Sequence, residues 1–228
     1  MRFGVAISGD PDPTFPEDVA GLENAGFASL WFGLDGADWH PIVLASAAAM
    51  VTTGAELVVA LADPTPVTAK SVGSLDALSG GRSRVLVETA GDAALMRAML
   101  GGDRVNYDGV PFRVVDAPVL PAPVQERVPI WTRAAELAAG VDGWLATCVE
   151  AYEALVGTVD QACRDVGSDP ALLRRAVLVD GRGERVTSAL FAATAGELAQ
   201  RLHEVDEIVL RLDRRSWRVA GEVLAGMK

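Results

Sequence analysis

Eight short apolar, β-branched runs punctuate this 228-residue chain, and helical stretches separate most of them. The runs are "RFGVAI" (2–7), "SLWF" (29–32), "ELVVAL" (56–61), "SRVLVE" (83–88), "VPIW" (128–131), "DGWLAT" (142–147), "RAVLVD" (175–180) and "EIVLRL" (207–212). Helical patterning covers 16–26, 41–52, 66–78, 92–100, 133–139, 150–166, 194–205 and 216–226. Strands that are apolar throughout bury both faces, which calls for a parallel sheet covered by helices on each side. Eight such units predict an α/β fold of the (β/α)8 TIM-barrel type, and the length is near the lower end of the roughly 200 to 400 residues that fold uses. An open doubly wound sheet is the alternative, but "ISGDPDP" lacks the GxGxxG that usually follows its first strand. One domain spanning 1–228 is expected, with no internal repeat or low-complexity tract.

Boundary residues support the helices. Pro16, Glu17 and Asp18 suit a helix start, and Gly26 suits its end. Thr65-Pro66 opens the third helix, and Gly80-Gly81 closes it through a left-handed turn. Thr194 and Glu197 have capping-box spacing. The segment 101–130 breaks the alternation: "VNYDGVPFRV" reads as a hairpin turning at Asp108-Gly109, followed by an extended proline-rich return.

Composition narrows the partners. Thirty-one acids against twenty bases give a net charge of −11, which argues against nucleic acid or an anionic membrane surface. No apolar run approaches the ~20 residues of a membrane helix, and "MRFGVAISGD" reads as a first strand rather than a signal peptide. Cys148 and Cys163 have neither metal-ligand nor CxxC spacing, so two reduced thiols in a cytoplasmic protein are expected, with no metal centre.

Several strings in order resemble the luciferase-like flavin- or deazaflavin-dependent oxidoreductases. They are "MRFGVAI", "LENAGFASLWFG", "PTPVTAKSVGSLDALSGGR", "VNYDGVPFRV…PAPVQERVPIW", "DGWL" and "LAQRLHEVDEIVLRL". The resemblance implies a barrel whose C-terminal mouth holds reduced FMN or the deazaflavin F420. It also implies a small organic substrate that undergoes hydride transfer or oxygen insertion. The cofactor would then lie against strand ends 60–62, 88–90 and 132–134, with Ala60, Leu61, Glu88, Thr89, Thr132 and Arg133 as binding residues and His40 and Glu88 as catalytic candidates.

This chain departs from the family pattern at the same mouth. Aligned on "GGR", the family's strand-end glycines fall on Leu86 and Glu88, whose side chains take volume a ring would need. "TRAAELAAG" stands where the family has a glycine/serine phosphate loop. No histidine is in register after the second strand, and "AGDAALMRAML" replaces a longer insertion. A non-catalytic member that binds a ligand or serves a structural role is therefore the alternative.

Each candidate also has a structural reading. Glu88 is either an acid–base group in a half-dry mouth or the ion-pair partner of Arg133, and the pair is preferred. His40 either substitutes for the family histidine or is a solvated residue before Pro41. Arg133 and Arg211 suit a phosphate, but internal pairing with Glu88, Asp180 or Asp213 is the preferred reading. Cys148 sits where a helix begins, with no base beside it. Flavin-free acid–base chemistry through Glu88, Asp180 and His40 is the third possibility. His203 reads as a surface residue. The other polar strand-end residues are Ser8, Asp10, Asp35, Asp63, Thr147 and Arg182. The helix "PIVLASAAAMV" (41–51) is apolar on all faces, which predicts a two-fold partner and hence a homodimer.

Overall fold

The computed structural model describes residues 1–7, 11–35, 39–62, 64–101, 104–109, 113–118, 121–182, 197–198, 200–202 and 204–226. Ser8, Asp10, Asp63, His203 and the Thr194 cap lie outside them. Eight parallel strands close into a barrel: β1 (Arg2–Ile7), β2 (Ser29–Phe32), β3 (Glu56–Ala60), β4 (Ser83–Val87), β7 (Ile130–Thr132), β8 (Gly143–Ala146), β9 (Arg174–Asp180) and β10 (Glu207–Arg211). All eight expected runs are strands of this (β/α)8 barrel. Between β4 and β7, β5 (Arg104–Asp108) and β6 (Arg113–Pro118) pair antiparallel as the expected hairpin, whose turn tip lies outside the described residues.

Around the barrel lie α1 (Phe15–Ala25), α2 (Pro41–Ala49), α3 (Pro66–Ser79), α4 (Ala90–Leu100), α5 (Val149–Asp165) and α6 (Arg214–Gly226). The short helix expected over 133–139 is a 3-10 turn at Ala135–Gly140. Gly80 and Gly81 both take positive φ, 68° and 83°, as the turn from α3 into β4 requires. Asp76 of α3 is buried and accepts from the backbone N–H groups of Val124 and Gln125, which pins the proline-rich return to the barrel wall. Among the described residues no helix is long and apolar enough to cross a membrane.

Alternate side chains of each strand point inward. The inward set Ala6, Trp31, Val58, Leu86, Trp131, Leu145, Ala176, Leu178 and Val209 forms its own apolar cluster, separate from the larger one beneath the helices. Trp31 and Trp131 meet edge to face, with centroids 5.5 Å apart and planes at 84°. Gly143 leaves room for the Trp131 indole, which a Cβ there would overlap.

The strands are less apolar than their sequence pattern suggests. At the N-terminal end of the barrel, Arg84 pairs with Glu56 and, at 3.5 Å, with Glu207. The Trp31 indole N–H donates to Ser29 Oγ at 2.7 Å and to Glu207 Oε1 at 3.2 Å, and Ser29 donates to the same oxygen. The guanidinium of Arg84 lies 5.3 Å from the centre of the Trp131 ring, and that of Arg174 lies 5.6 Å away. Burial pulls Arg84 down to about 9. These groups form a charged floor under the tryptophans.

Arg84 is 1% exposed and Glu207 is 0% exposed, so removing one partner strands the other in a dry interior. Glu207→Ala is expected to cost about 3–5 kcal/mol in urea unfolding. A loss under about 1 kcal/mol, the range of an exposed pair, would show that the floor does not anchor the barrel.

Candidate functional site

The C-terminal strand ends form the mouth. A pocket of about 480 Å³ opens there, lined by Gly33 and Leu34 after β2, His40 and Pro41 at the start of α2, Ala60, Leu61 and Ala62 at the end of β3, Thr68 of α3, and Glu88 and Arg133. Five of the residues expected at a site, His40, Ala60, Leu61, Glu88 and Arg133, thus surround one cavity.

Strand register accounts for the Glu88–Arg133 pair. Leu86 is paired with Trp131 and Val87 with Thr132, so the next step sets Glu88 beside Arg133 with the inward parity of Leu86 and Trp131. Arg133 donates from Nε at 2.8 Å and from NH2 at 2.5 Å, both to Glu88 Oε1. About a third of each side chain is exposed, so the pair is a wall of the pocket and not a sealed plug. Leu86 is fully buried in the barrel filling and is not among the lining residues. It fills the barrel interior next to its register partner Ala60, which does line the pocket.

His40 caps α2, its Nδ1 accepting from the Ile42 N–H at 3.3 Å, which leaves Nε2 as the ring nitrogen not used by the cap. Thr89 and Thr132 are spent on local structure and lie outside the pocket lining. Thr89 caps α4 by accepting from Asp92 N at 3.1 Å, and buried Thr132 accepts from Ala134 N at 3.1 Å. Cys148 likewise caps α5, its Sγ 3.3 Å from Ala151 N.

Across the mouth, register pairs Arg211 with Asp180. Arg211 lies 2.8 Å from Asp35 and 3.3 Å from Asp180, while Arg182 lies 2.7 Å from Asp180 and 3.7 Å from Asp35. The internal pairing expected for Arg211 is present, with Asp35 as a partner that sequence reasoning missed. No local signal could have revealed it, because Asp35 and Arg211 lie far apart in the chain. Hydrogen bonding from Arg182 holds the Asp180 carboxyl down to about 2.

A flavin or deazaflavin has a planar ring and a phosphate-bearing tail, and the mouth treats the two differently. The cavity is within the range of about 300–1,000 Å³ usual for small-molecule sites, and Ala60 and Ala62 in its lining have short side chains, so its volume suits the ring. The phosphate meets no prepared partner in Arg133, Arg182 or Arg211, since each already holds a carboxylate.

Solved structures share this architecture. The F420-dependent tetrahydromethanopterin reductase from Methanopyrus kandleri superposes with a TM-score of 0.77 at 14% identity, covering 100% of this chain and 99% of that one. The monooxygenase RslO1 from Streptomyces bottropensis gives 0.68 at 18% identity, with 100% and 99% covered. Long-chain alkane monooxygenase LadA gives 0.61 at 16% identity, over 93% of this chain and 64% of that one. The chain shares the closed (β/α)8-barrel fold of these structures. No protein-family model matches the sequence, and no curated protein does. With identities this low, the likeness is one of fold alone.

Acid should loosen that mouth. Asp180, and Asp12 beside Arg214, are lowered from 3.8 to about 2 in the folded chain. A depressed carboxylate stabilises the fold above its unfolded pKa and loses that contribution as pH falls through the folded one. Stability is therefore expected to fall between about pH 4 and about pH 2, with a shallower slope in Asp180→Asn, as measured by urea unfolding at stepped pH. An identical slope in the variant would contradict this account of Asp180.

Proposed function

We propose that the protein is an oxidoreductase of the luciferase-like kind that acts on a small organic substrate at the C-terminal mouth of its barrel. In this reading the ring of FMN or of the deazaflavin F420 occupies the 480 Å³ pocket. The observation that carries it is the convergence of His40, Ala60, Leu61, Glu88 and Arg133 around one cavity at strand ends, where barrels of this type place function. When bound, the ring would supply hydride transfer or oxygen activation. The chain's own residues bind and orient: Ala60 and Ala62 leave space, Glu88 and Arg133 present a polar wall, and His40 presents its Nε2 edge. Both free cysteines suit a reducing compartment, in keeping with a cytoplasmic location.

One observation favours a second reading, a ligand-binding protein without redox chemistry. The pairing of Arg133, Arg182 and Arg211 with acids removes the cations that would hold a cofactor phosphate. The absorbance spectrum of the purified protein, followed by titration with FMN and with F420, separates the two. Flavin bands or affinity in the roughly micromolar range, about −8 kcal/mol, is the expected result. Binding of neither cofactor would leave the second reading in place.

We further propose that the chain forms a homodimer through α2. Val43, Ala47, Met50 and Val51 lie exposed along one face of α2 and its end, a row more apolar than a solvated helix surface needs. Val43→Asp together with Met50→Lys is expected to convert a dimer to a monomer in light scattering, and a wild-type monomer would refute the proposal.

A further inference from the structure

The charges around the mouth cancel before any ligand arrives. Among the described residues lining the pocket, Glu88 is the one acid and Arg133 the one arginine, and they are bonded to each other. On the far side, Arg182 and Arg211 are held by Asp35 and Asp180. Helices α2, α3, α4 and α5 each have one N-terminal N–H taken by their own side chain: His40, Thr65, Thr89 and Cys148 respectively. The net charge of −11 adds a background field that repels a dianion.

A phosphate entering this pocket must either pull Arg133 away from Glu88 or lie beside a carboxylate with no cation of its own. A neutral ring faces neither penalty. Both hydrogen bonds from Arg133 converge on Glu88 Oε1, so the guanidinium is committed to this carboxylate before a ligand arrives.

We propose that the mouth pocket selects the uncharged, unphosphorylated flavin over its phosphorylated form, with Glu88 as the residue that sets the preference. The proposal deepens the cofactor reading above and rests on it. Glu88 acts as a resident anion: it occupies the guanidinium that a ligand phosphate would otherwise take.

Equilibrium titration of the full chain with riboflavin and with FMN, followed by flavin fluorescence, tests this. Riboflavin is expected to bind about tenfold more tightly than FMN, the scale of one charge-assisted hydrogen bond. Glu88→Gln keeps the shape of the side chain and removes its charge. The variant is expected to gain about tenfold in FMN affinity and little in riboflavin affinity, closing the gap. Wild-type protein that binds FMN as tightly as riboflavin, or a variant that shifts both ligands equally, would overturn the proposal. If F420 or FMN binds and riboflavin does not, the cofactor reading stands and this preference falls. If riboflavin, FMN and F420 all fail to bind, the cofactor reading fails and takes the preference with it. Should the variant not fold, the wild-type ratio alone decides.

Discussion

In a closed barrel of parallel strands every second side chain points inward, and what the chain places in that limited space decides everything above it. Here two indoles, Trp31 and Trp131, occupy the interior edge to face, with leucines, valines and alanines packed around them. They stand on a floor of buried charge, where Glu207 accepts from Ser29 and Trp31 while pairing with Arg84. The floor and the filling are interdependent: the tryptophan faces help to stabilise the guanidinium groups, and the carboxylate satisfies an indole N–H. With the interior filled in this way, a ligand can be seated at the mouth and no deeper.

The mouth continues the same alternation one layer higher. The parity that aims Leu86 and Trp131 inward brings Glu88 and Arg133 together above them, and the β9–β10 register does the same for Asp180 and Arg211. Both halves of the mouth are thus closed by acid–arginine pairs on neighbouring strands, without a local excess of positive charge. A barrel mouth built for a phosphorylated cofactor usually draws on free donors from helix starts or arginines. Among the described residues, this mouth pairs Arg133, Arg182 and Arg211 with carboxylates and keeps a polar wall of balanced charge.

Much of the fold was legible in the sequence because the signals involved are local. The period of the apolar runs marked all eight barrel strands, "VNYDGVPFRV" marked the hairpin, and Thr65-Pro66 with Gly80-Gly81 marked both ends of α3. The Glu88–Arg133 pair was also within reach, since both residues follow the last apolar position of strands expected to be neighbours. The charged floor was not. Arg84, Glu56 and Glu207 are scattered through segments that read as apolar strands, and nothing local shows that they meet at one end of the barrel. The layer that Leu86 fills was hidden for a related reason: aligning it with a strand-end glycine locates it along the chain and says nothing about depth in the barrel.

By itself, the sequence determined the order and type of the elements, because helix and strand periodicity depend on neighbours a few residues apart. It also determined that the chain would be strongly acidic overall. Only the tertiary structure decided which polar groups meet: Asp35 with Arg211 and Arg182, Arg84 with Glu207, and His40, Thr89 and Cys148 spent on helix caps. Those meetings depend on strand register and on barrel closure, which bring together residues far apart in the chain. A one-residue slip in register would turn each inward side chain outward.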